Sequence, residues 1–542
     1  MNLGKLLAVG YSDGKTRIYN VNSGKVIIEI ASEGEGFGSI TCVGWVDNHS
    51  HALALNQPPE TKSTECTPQA VFDLDVNSML PRLCSLPSSA GPDSTFTSKT
   101  TLDALINSVG KPGDGTNLDV LLIGEERGKL LLNVFDSFLV GTMELSSLCS
   151  QLNEYSTLIC HRATSNLSVH ALLLKDTTDG RTQFATMDIL FIHQFGQYLH
   201  QLASTSTKVT ALMRYMHETV VSLQTEFKTM NDLSDRFVSI IDEDLQKDCS
   251  EIGLELFEYL VTGIPSSTLK KVLLDVLPER SQKRWEKTSI SGYENLRRLV
   301  HESLLPTCER LTVLFCRLRG LARWKESGSP LGLEPDDFAG CLDAVSAITL
   351  FAHEFLLTLN HELDLFTAFA SWLRHGLDQL ATVVNIDDKN QEDPQVDTLK
   401  VAEFIGNHLK KSSLEGFFSR STGPPLKDYT SSGEEISKLY RQSERQASVP
   451  GFMELAEYLR EWCKAVFAKP QQAMRQQLRI GNPIPLSKRS FHLEDMRLIV
   501  EGEGAIAYTL LYTKTPNRAN CWTPPPNLNL SWRDADLISD RR

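Results

Sequence analysis

The sequence predicts a β-propeller-type unit interrupted by a long bundle of α-helices. Two observations predict the β part. Short apolar runs of period two, closed by Asp-Gly and Ser-Gly turns, fill the chain to about residue 203. One such unit also recurs, since residues 6–21, LLAVGYSDGKTRIYNV, are echoed by residues 120–135, VLLIGEERGKLLLNVF. Both read strand, glycine, polar turn, Gly-Lys, strand, and spaced meanders with an internal repeat suggest propeller blades. The third observation predicts the helices. From about Ser204 the apolar spacing changes to three and four. A β-sandwich is the alternative for the first region.

Taken in order, residues 6–9, 16–20 and 25–30 are strand candidates, separated by the turns Ser12-Asp13-Gly14 and Asn22-Ser23-Gly24. Such a meander cannot bury its own apolar face and must stack on another sheet. Residues 39–45 form a further strand, and the polar stretches 57–69 and 85–95 are loops. Residues 118–123 and 129–135 flank the turn 124–128, and 169–174 and 187–190 suggest two more strands.

The helical region opens with a stripe of Val209, Leu212, Met213, Met216, Val220, Leu223, Phe227, Met230, Leu233, Phe237, Ile240 and Ile241. It spans one face of a helix of roughly ten turns. Ile252, Leu256, Phe257 and Leu260 make a second amphipathic segment, broken at Ile264-Pro265-Ser266, and residues 269–277 make a short third. Tyr293 begins another long helix, carrying Leu296, Leu304, Cys308, Leu311, Phe315 and Leu318 to Trp324, with Pro306 predicting a kink. Asp336 and Asp337 lead into the next, with Val345, Ile348, Phe351, Phe355, Phe366, Phe369, Trp372 and Leu380. A polar linker is expected over 387–394, a helix over 396–414, a loop over 419–433 and a last helix over 452–467. Strands resume at 496–500 and 505–512, with a loop at 521–526. The domains are therefore expected at 1–203, 204–470 and 471–542. The simplest topology is a β domain with a helical insertion. Two unrelated β parts at the ends of a helical rod are the alternative.

The bulk numbers bound the function. A chain of 542 residues is too long for one ordinary core. Its net charge of −14, from 54 basic and 68 acidic residues, gives no long-range attraction to a phosphate backbone or an anionic membrane. The 11 cysteines are scattered, with no C-x-x-C pair to hold zinc, and residues such as Cys308 and Cys316 are expected as buried small hydrophobes in a reducing compartment. Lys5 is followed by strand alternation and not by a long apolar core, and no run reaches membrane-spanning length without charge. A soluble intracellular protein is expected.

The candidates for chemistry are few. Gly10-Tyr11-Ser12-Asp13-Gly14 fits G-x-S-x-G, but a strand follows it where a nucleophile elbow needs a helix, so a β-turn is expected. His353-Glu354 and His361-Glu362 are eight apart, not the H-E-x-x-H spacing, and two turns of helix separate them by about 12 Å. They are expected as exposed or capping residues. His193 and His200 are expected on the surface beside a strand, Asp242-Glu243-Asp244 on a solvated face, and Arg297-Arg298 as a small basic spot. Gly128-Lys129 lacks the other residues of a phosphate loop. No base, acid and nucleophile can be named together, so the sequence offers no catalytic, cofactor-binding or metal residues and favours a binding or architectural role.

One family resemblance emerges from the helices. SGYENLRRLVHESLLPTCERLTVLFCRLRGLARW, residues 291–324, resembles the long-helix region of the anaphase-promoting complex (cyclosome) subunit 4 family. The opening LLAVGYSDGKTRIYNVNSGKVIIEI resembles an N-terminal blade of that family, ITCVGW the strand of the next, and FHLEDMRLIVEGEG, residues 491–504, the return from bundle to propeller. The matches keep their order over most of the chain, and none is a catalytic motif. The resemblance implies a WD40-type propeller interrupted by a four-helix bundle, acting as a non-catalytic scaffold in a RING-type E3 ubiquitin ligase that governs mitotic progression and exit. It implies no cofactor, platform subunits one and five as partners, no direct nucleic acid or membrane, and a nuclear and cytoplasmic location. Members of the family carry about one more blade before Leu6 and continue past Arg542. The propeller is therefore expected to be incomplete at both ends, with about four blades before the insertion and one after it. A propeller adaptor of a trafficking coat and an enzyme with a dispersed site are the competing classes.

Overall fold

The fold, seen in a computed structural model, comprises among the described residues four antiparallel sheets and a long helical arm. The structure describes residues 6–21, 24, 26–31, 38–47, 80–87, 95–107, 118–134, 138–153, 155–164, 167–246, 250–276, 279–324, 328, 330–382, 396–419, 450–487, 493–501, 504–512 and 529–531. The expected loops at 57–69, 387–394 and 521–526, and all but the first residue of 419–433, lie outside them.

The first sheet joins β1 (Leu6–Gly10), β2 (Lys15–Asn20) and β3 (Val26–Ala31) in sequence order. The second joins β4 (Ile40–Asp47), β5 (Asp119–Glu125), β6 (Lys129–Val134) and β7 (Phe138–Glu144). The third contains β8 (Ser156–Ala163), β9 (Val169–Asp176) and β10 (Thr182–Asp188). After the helices, β11 (Arg479–Ile480) and β12 (Ile484–Ser487) return to pair with β10. The fourth sheet is β13 (Leu493–Glu501), β14 (Gly504–Tyr512) and β15 (Asn529–Ser531).

Strand alternation decides how the sheets stack. Along β5, Leu121 and Ile123 pack with Ile18 and Leu131 against the first sheet, while Val120 and Leu122 face the opposite core. Along β9, Leu172 and Leu174 join that core, while Ala171 and Leu173 pack with Phe184 and Met496 towards the fourth sheet. Both faces are buried, which is why these strands read as continuous apolar runs. The leading strands β1, β4, β8 and β13 are successive neighbours. Their approach is close: a Cβ on Gly10 would sit 2.5 Å from Ile40 Cγ2.

Among the described residues three sheets precede the helices, and the third is completed by strands that follow them. Among the described residues the sheets form no closed ring. The strand expected at 187–190 is β10, which ends at Asp188, and the helix expected from Ser204 begins at Leu190. Strands β7 and β8, helix α1 (Lys99–Asn107) and the short α2 (Leu145–Leu148) were not foreseen from the sequence.

Helix α3 (Leu190–Gln246) bends at Phe195, whose φ of −125° and ψ of 17° are not helical. Its Ser204-Thr205-Ser206-Thr207 run is buried. Thr207 Oγ1 donates to the Ala203 carbonyl at 3.0 Å, which satisfies a hydroxyl that would otherwise favour a turn. The expected stripe is buried from Val209 to Met230, then drifts: Val238, Ile241 and Leu245 are buried, whereas Ile240 is 40% exposed. The next helices are α4 (Ile252–Thr262), α5 (Ser267–Val276) and α6 (Glu279–Leu299). Helix α6 starts well before Tyr293, anchored by Trp285, whose ring centroid lies 5.8 Å from that of Phe237. A π-helical segment, Val300–Leu304, separates α6 from α7 (Leu305–Arg323). Proline lacks an N–H and its ring crowds the carbonyl four residues back, so the wider π turn accommodates Pro306 at the start of α7.

Helix α8 (Pro335–Thr382) is followed by α9 (Thr398–Asn407), α10 (Glu415–Phe418) and α11 (Phe452–Gln477). The helix expected over 396–414 is thus the shorter α9, capped by Asp397, whose carboxylate accepts from Leu399 N at 3.1 Å. The last helix runs past Phe467 to Gln477. Helix α8 is long and apolar enough to cross a membrane, although no run of that length in it is free of charge, and half of its most apolar window is buried against its neighbours. Cys308 is buried as expected, but Cys316 is exposed.

The arm and the sheets share one core. Phe191, Leu199 and Leu202 of α3 belong to the same buried cluster as Leu118, Leu132 and Val140 around the second sheet, and as Leu311 and Phe355 in the arm. A cut at residue 204 would therefore sever a continuous apolar surface. Phe355 and Leu311 are both fully buried. Truncating either to alanine is expected to destabilise the protein by about 2–5 kcal/mol, through lost transfer energy plus a cavity. Chemical denaturation of the full chain measures this, and a change below about 0.5 kcal/mol for both would contradict the packing.

Candidate interaction surfaces

Tyr11 to Lys15 form the turn between β1 and β2. Tyr11 N donates to the Lys15 carbonyl at 3.0 Å, and Gly14 has a φ of 77° that suits glycine. Ser12 is therefore a turn residue. Asp13 accepts from Lys15 N at 3.0 Å and from Arg17 Nη2 at 3.0 Å, and the first of these bonds leads in holding its carboxyl below the usual range. Glu29 receives Lys15 Nζ at 2.5 Å and Arg17 Nε at 2.9 Å. The result is a solvated ladder of alternating charge.

His161 on β8 and His170 on β9 are a buried pair. His161 Nε2 lies 2.7 Å from His170 Nδ1, and His170 Nε2 lies 3.0 Å from the Leu167 carbonyl. A carbonyl only accepts, so His170 carries its proton on Nε2 and accepts from His161 Nε2. His161 Nδ1 is left buried without a partner among the described residues, packed against Gly44. Burial, then the neighbouring ring, holds His161 well below the ordinary histidine range, and burial takes His170 down to about 4.

Glu362 on α8 is a buried carboxylate that ties three parts of the arm together. Tyr293 Oη of α6 donates to it at 2.8 Å, Ser412 Oγ at 2.7 Å and Ser413 N at 3.0 Å. Burial and then the adjacent carboxylate push the Tyr293 phenol well above its ordinary value. The expectation of an exposed or capping residue fails here, whereas His353, Glu354 and His361 are exposed. Next to Glu362 in sequence, His361 finds a partner far along the chain: its Nε2 is 3.0 Å from Glu403 on α9, and the structure also brings His408 to them. His200 is buried within α3 and not on a strand-side surface. Asp242 is half-buried and accepts from Ile252 N at 3.1 Å, joining α3 to α4. Arg297 and Arg298 are exposed. The thiols face the opposite way to nucleophiles, since burial pushes Cys42 and Cys308 up to about 12.

An exposed apolar surface lies on α4. Leu254, Phe257 and Val261 are 62%, 46% and 69% exposed, at a spacing of three and four that places them on one face, and Ile264, just past the helix end at Gly263, is 76% exposed. The opposite face buries Ile252, Leu256 and Tyr259, the last with its ring 5.3 Å from Trp372. Phe257 was expected among the buried residues. Its neighbours show why it is not: α4 is apolar on two faces, and among the described residues only one of them is buried. Leu350 and Leu357 add exposed apolar positions two turns apart on α8.

Comparison with known proteins adds a lineage to this geometry. Residues 183–383 match the family model described as anaphase-promoting complex, cyclosome, subunit 4, and residues 1–48 match that of the anaphase-promoting complex subunit 4 WD40 domain. Anaphase-promoting complex subunit 4 of Schizosaccharomyces pombe is 25% identical over 528 residues, covering 95% of this chain and 69% of the relative. The proteins of the same name from Homo sapiens and Pongo abelii are each 22% identical over 340 residues, covering 62% of this chain and 40% of the relative.

Two measurements check these sites. Unfolded histidines take up protons as the pH falls below 6.5, while folded His170 does not until about 4. The stability carried by the neutral pair is therefore complete above 6.5 and is lost as the pH falls towards 4. The melting temperature of the full chain should decline over that interval, and replacing both histidines by glutamine should flatten the decline. An unchanged slope would assign it to other groups. At the second site, Glu362→Ala strands the Tyr293 and Ser413 donors and is expected to destabilise by about 2–5 kcal/mol, read by denaturation, with Glu362→Gln milder.

Proposed function

Since the chain is a member of the anaphase-promoting complex subunit 4 family, we propose that it serves as a non-catalytic scaffold subunit of that complex, a RING-type E3 ubiquitin ligase controlling mitotic progression and exit. The observation that carries this reading is the anchoring of the arm. The chain leaves β10 at Asp188, runs through all the long helices, and re-enters beside the same strand, with Asp188 opposite Arg479 and Met187 opposite Ile480. An arm held at both ends by one sheet can keep partners at a fixed separation. The stacked sheets, with their leading strands side by side, support a WD40-type propeller as the base of that arm. The exposed stripe on α4 supports a partner surface near its far part, because large exposed apolar patches mark contact sites. On this reading the partners are the platform subunits one and five. Ubiquitin transfer belongs to the cullin-like and RING subunits, and the protein acts in nucleus and cytoplasm.

The test is to replace residues 190–477 with a tight turn joining β10 to β11, which already pair as antiparallel neighbours. Pull-down of this variant should lose platform subunits, with reduced ubiquitination of mitotic substrates. A complete and active complex around the shortened chain would refute the scaffold role. Because that deletion uncovers part of the shared core, a second variant is needed. Phe257→Glu with Val261→Glu changes only exposed positions. It should leave the melting temperature within a degree or two and lower the recovery of the other subunits. Undiminished recovery would remove α4 from the proposed interface.

A further inference from the structure

Helices α8 and α9 bring His361, Glu403 and His408 together, with a ligand atom of each within 4.8 Å of the others. We propose that these three side chains form a binding site for a divalent transition metal of the zinc class, clipping α9 to α8. His361 Nε2 and Glu403 Oε1 are already 3.0 Å apart. Two ligands about 2.0–2.2 Å from a tetrahedral zinc are separated by roughly 3.5 Å, so small rotamer changes admit an ion where the hydrogen bond now lies. Two imidazoles and one carboxylate suit zinc and not magnesium or calcium, which take oxygen ligands.

A second observation supports the site independently of its three ligands. His408 is held from behind. Its Nδ1 lies 3.1 Å from Ser413 Oγ and 3.7 Å from Glu362 Oε2, and its side chain is only 7% exposed. Metal-bound histidines characteristically direct their other ring nitrogen at such a carboxylate or hydroxyl, which fixes the ring and raises its basicity. Glu362 is itself locked by Tyr293, Ser412 and Ser413. His361 and Glu403 are 52% and 44% exposed, so an ion can enter from solvent and keep water in its fourth position. The two carboxylates, Glu362 and Glu403, offset the charge of the dication. Glu403 and His408 lie beyond a stretch of chain from His361, and the site is invisible to any motif confined to one helix.

The full-length protein, stripped with a chelator, is titrated with Zn²⁺ alone and followed by calorimetry and thermal melting. Wild type should bind one more zinc than His361→Ala/Glu403→Gln, melt higher with zinc than without, and show no such rise with Mg²⁺. Each single variant should lose about tenfold or more in affinity, and Ser413→Ala, a positioning change, about tenfold. Both ligand substitutions are at exposed positions, and the far-UV spectrum checks that each variant is folded. Zinc held by exposed thiols such as Cys316 would give the same signal in wild type and variant. Equal stoichiometry and equal melting shifts in the folded double variant and wild type would overturn the site.

Discussion

Strand β10 is bonded along both edges, to β9 on one side and to β11 and β12 on the other. The chain between those two pairings contains every long helix. Bringing distant residues into register costs loop-closure entropy that grows only slowly with length, so a long excursion is tolerable provided its ends are fixed. Seven paired positions between β9 and β10, from Thr182↔Lys175 to Asp188↔Val169, place β10 before the arm begins. The returning strand then has one edge available to it. The register of that edge sets where the arm leaves, where α11 comes back, and how β13 follows onto the leading strand of the third sheet.

The arm does not stand apart from the sheets energetically. Its base, from Phe191 to Leu202, shares a core with β5 to β7 and with α1, and α11 packs on β7. Helices of this length are stabilised by tertiary packing of their apolar faces more than by intrinsic propensity. Further out, aromatic rings do much of the filling: Trp285 of α6 meets Phe366 and Phe369 of α8 edge-on, and Phe404 of α9 stacks on Phe369 and meets Phe366 edge-on. Where polar groups are buried among them, as at Glu362, each oxygen has its donors, so rigidity is gained without stranded charge.

Legibility followed burial on one face. The opening meander, the strands 118–135 and the stripes of α3 and α8 were plain in the sequence because alternation or a three-and-four spacing repeats over many residues there. Helix α6 was missed at its start because residues 279–292 carry only Trp285 and Ile290 as large apolar anchors. The start of α3 was missed because the apolar run at 189–192 fits a buried strand as well as a helix, and the Ser/Thr run that follows resembles a loop. Strand β8 was missed because polar residues such as His161 sit where apolar ones are expected, made tolerable by a partner on β9. The cluster of His361, Glu403 and His408 left no trace, since it draws on two helices whose facing is not written in either.

By itself the sequence determined the strands and helices whose apolar spacing repeats over many residues, and it placed the long helices between two β regions. It did so because the periods of two and 3.6 are properties of local backbone geometry. The tertiary structure alone decided that the two β regions are one unit, with Arg479 and Ile480 completing a sheet begun at Ser156. It also decided which face of α4 is left uncovered, and which acids and imidazoles meet across the arm. Those outcomes depend on pairings between residues far apart in the chain, and no local pattern encodes a partner that is hundreds of positions away.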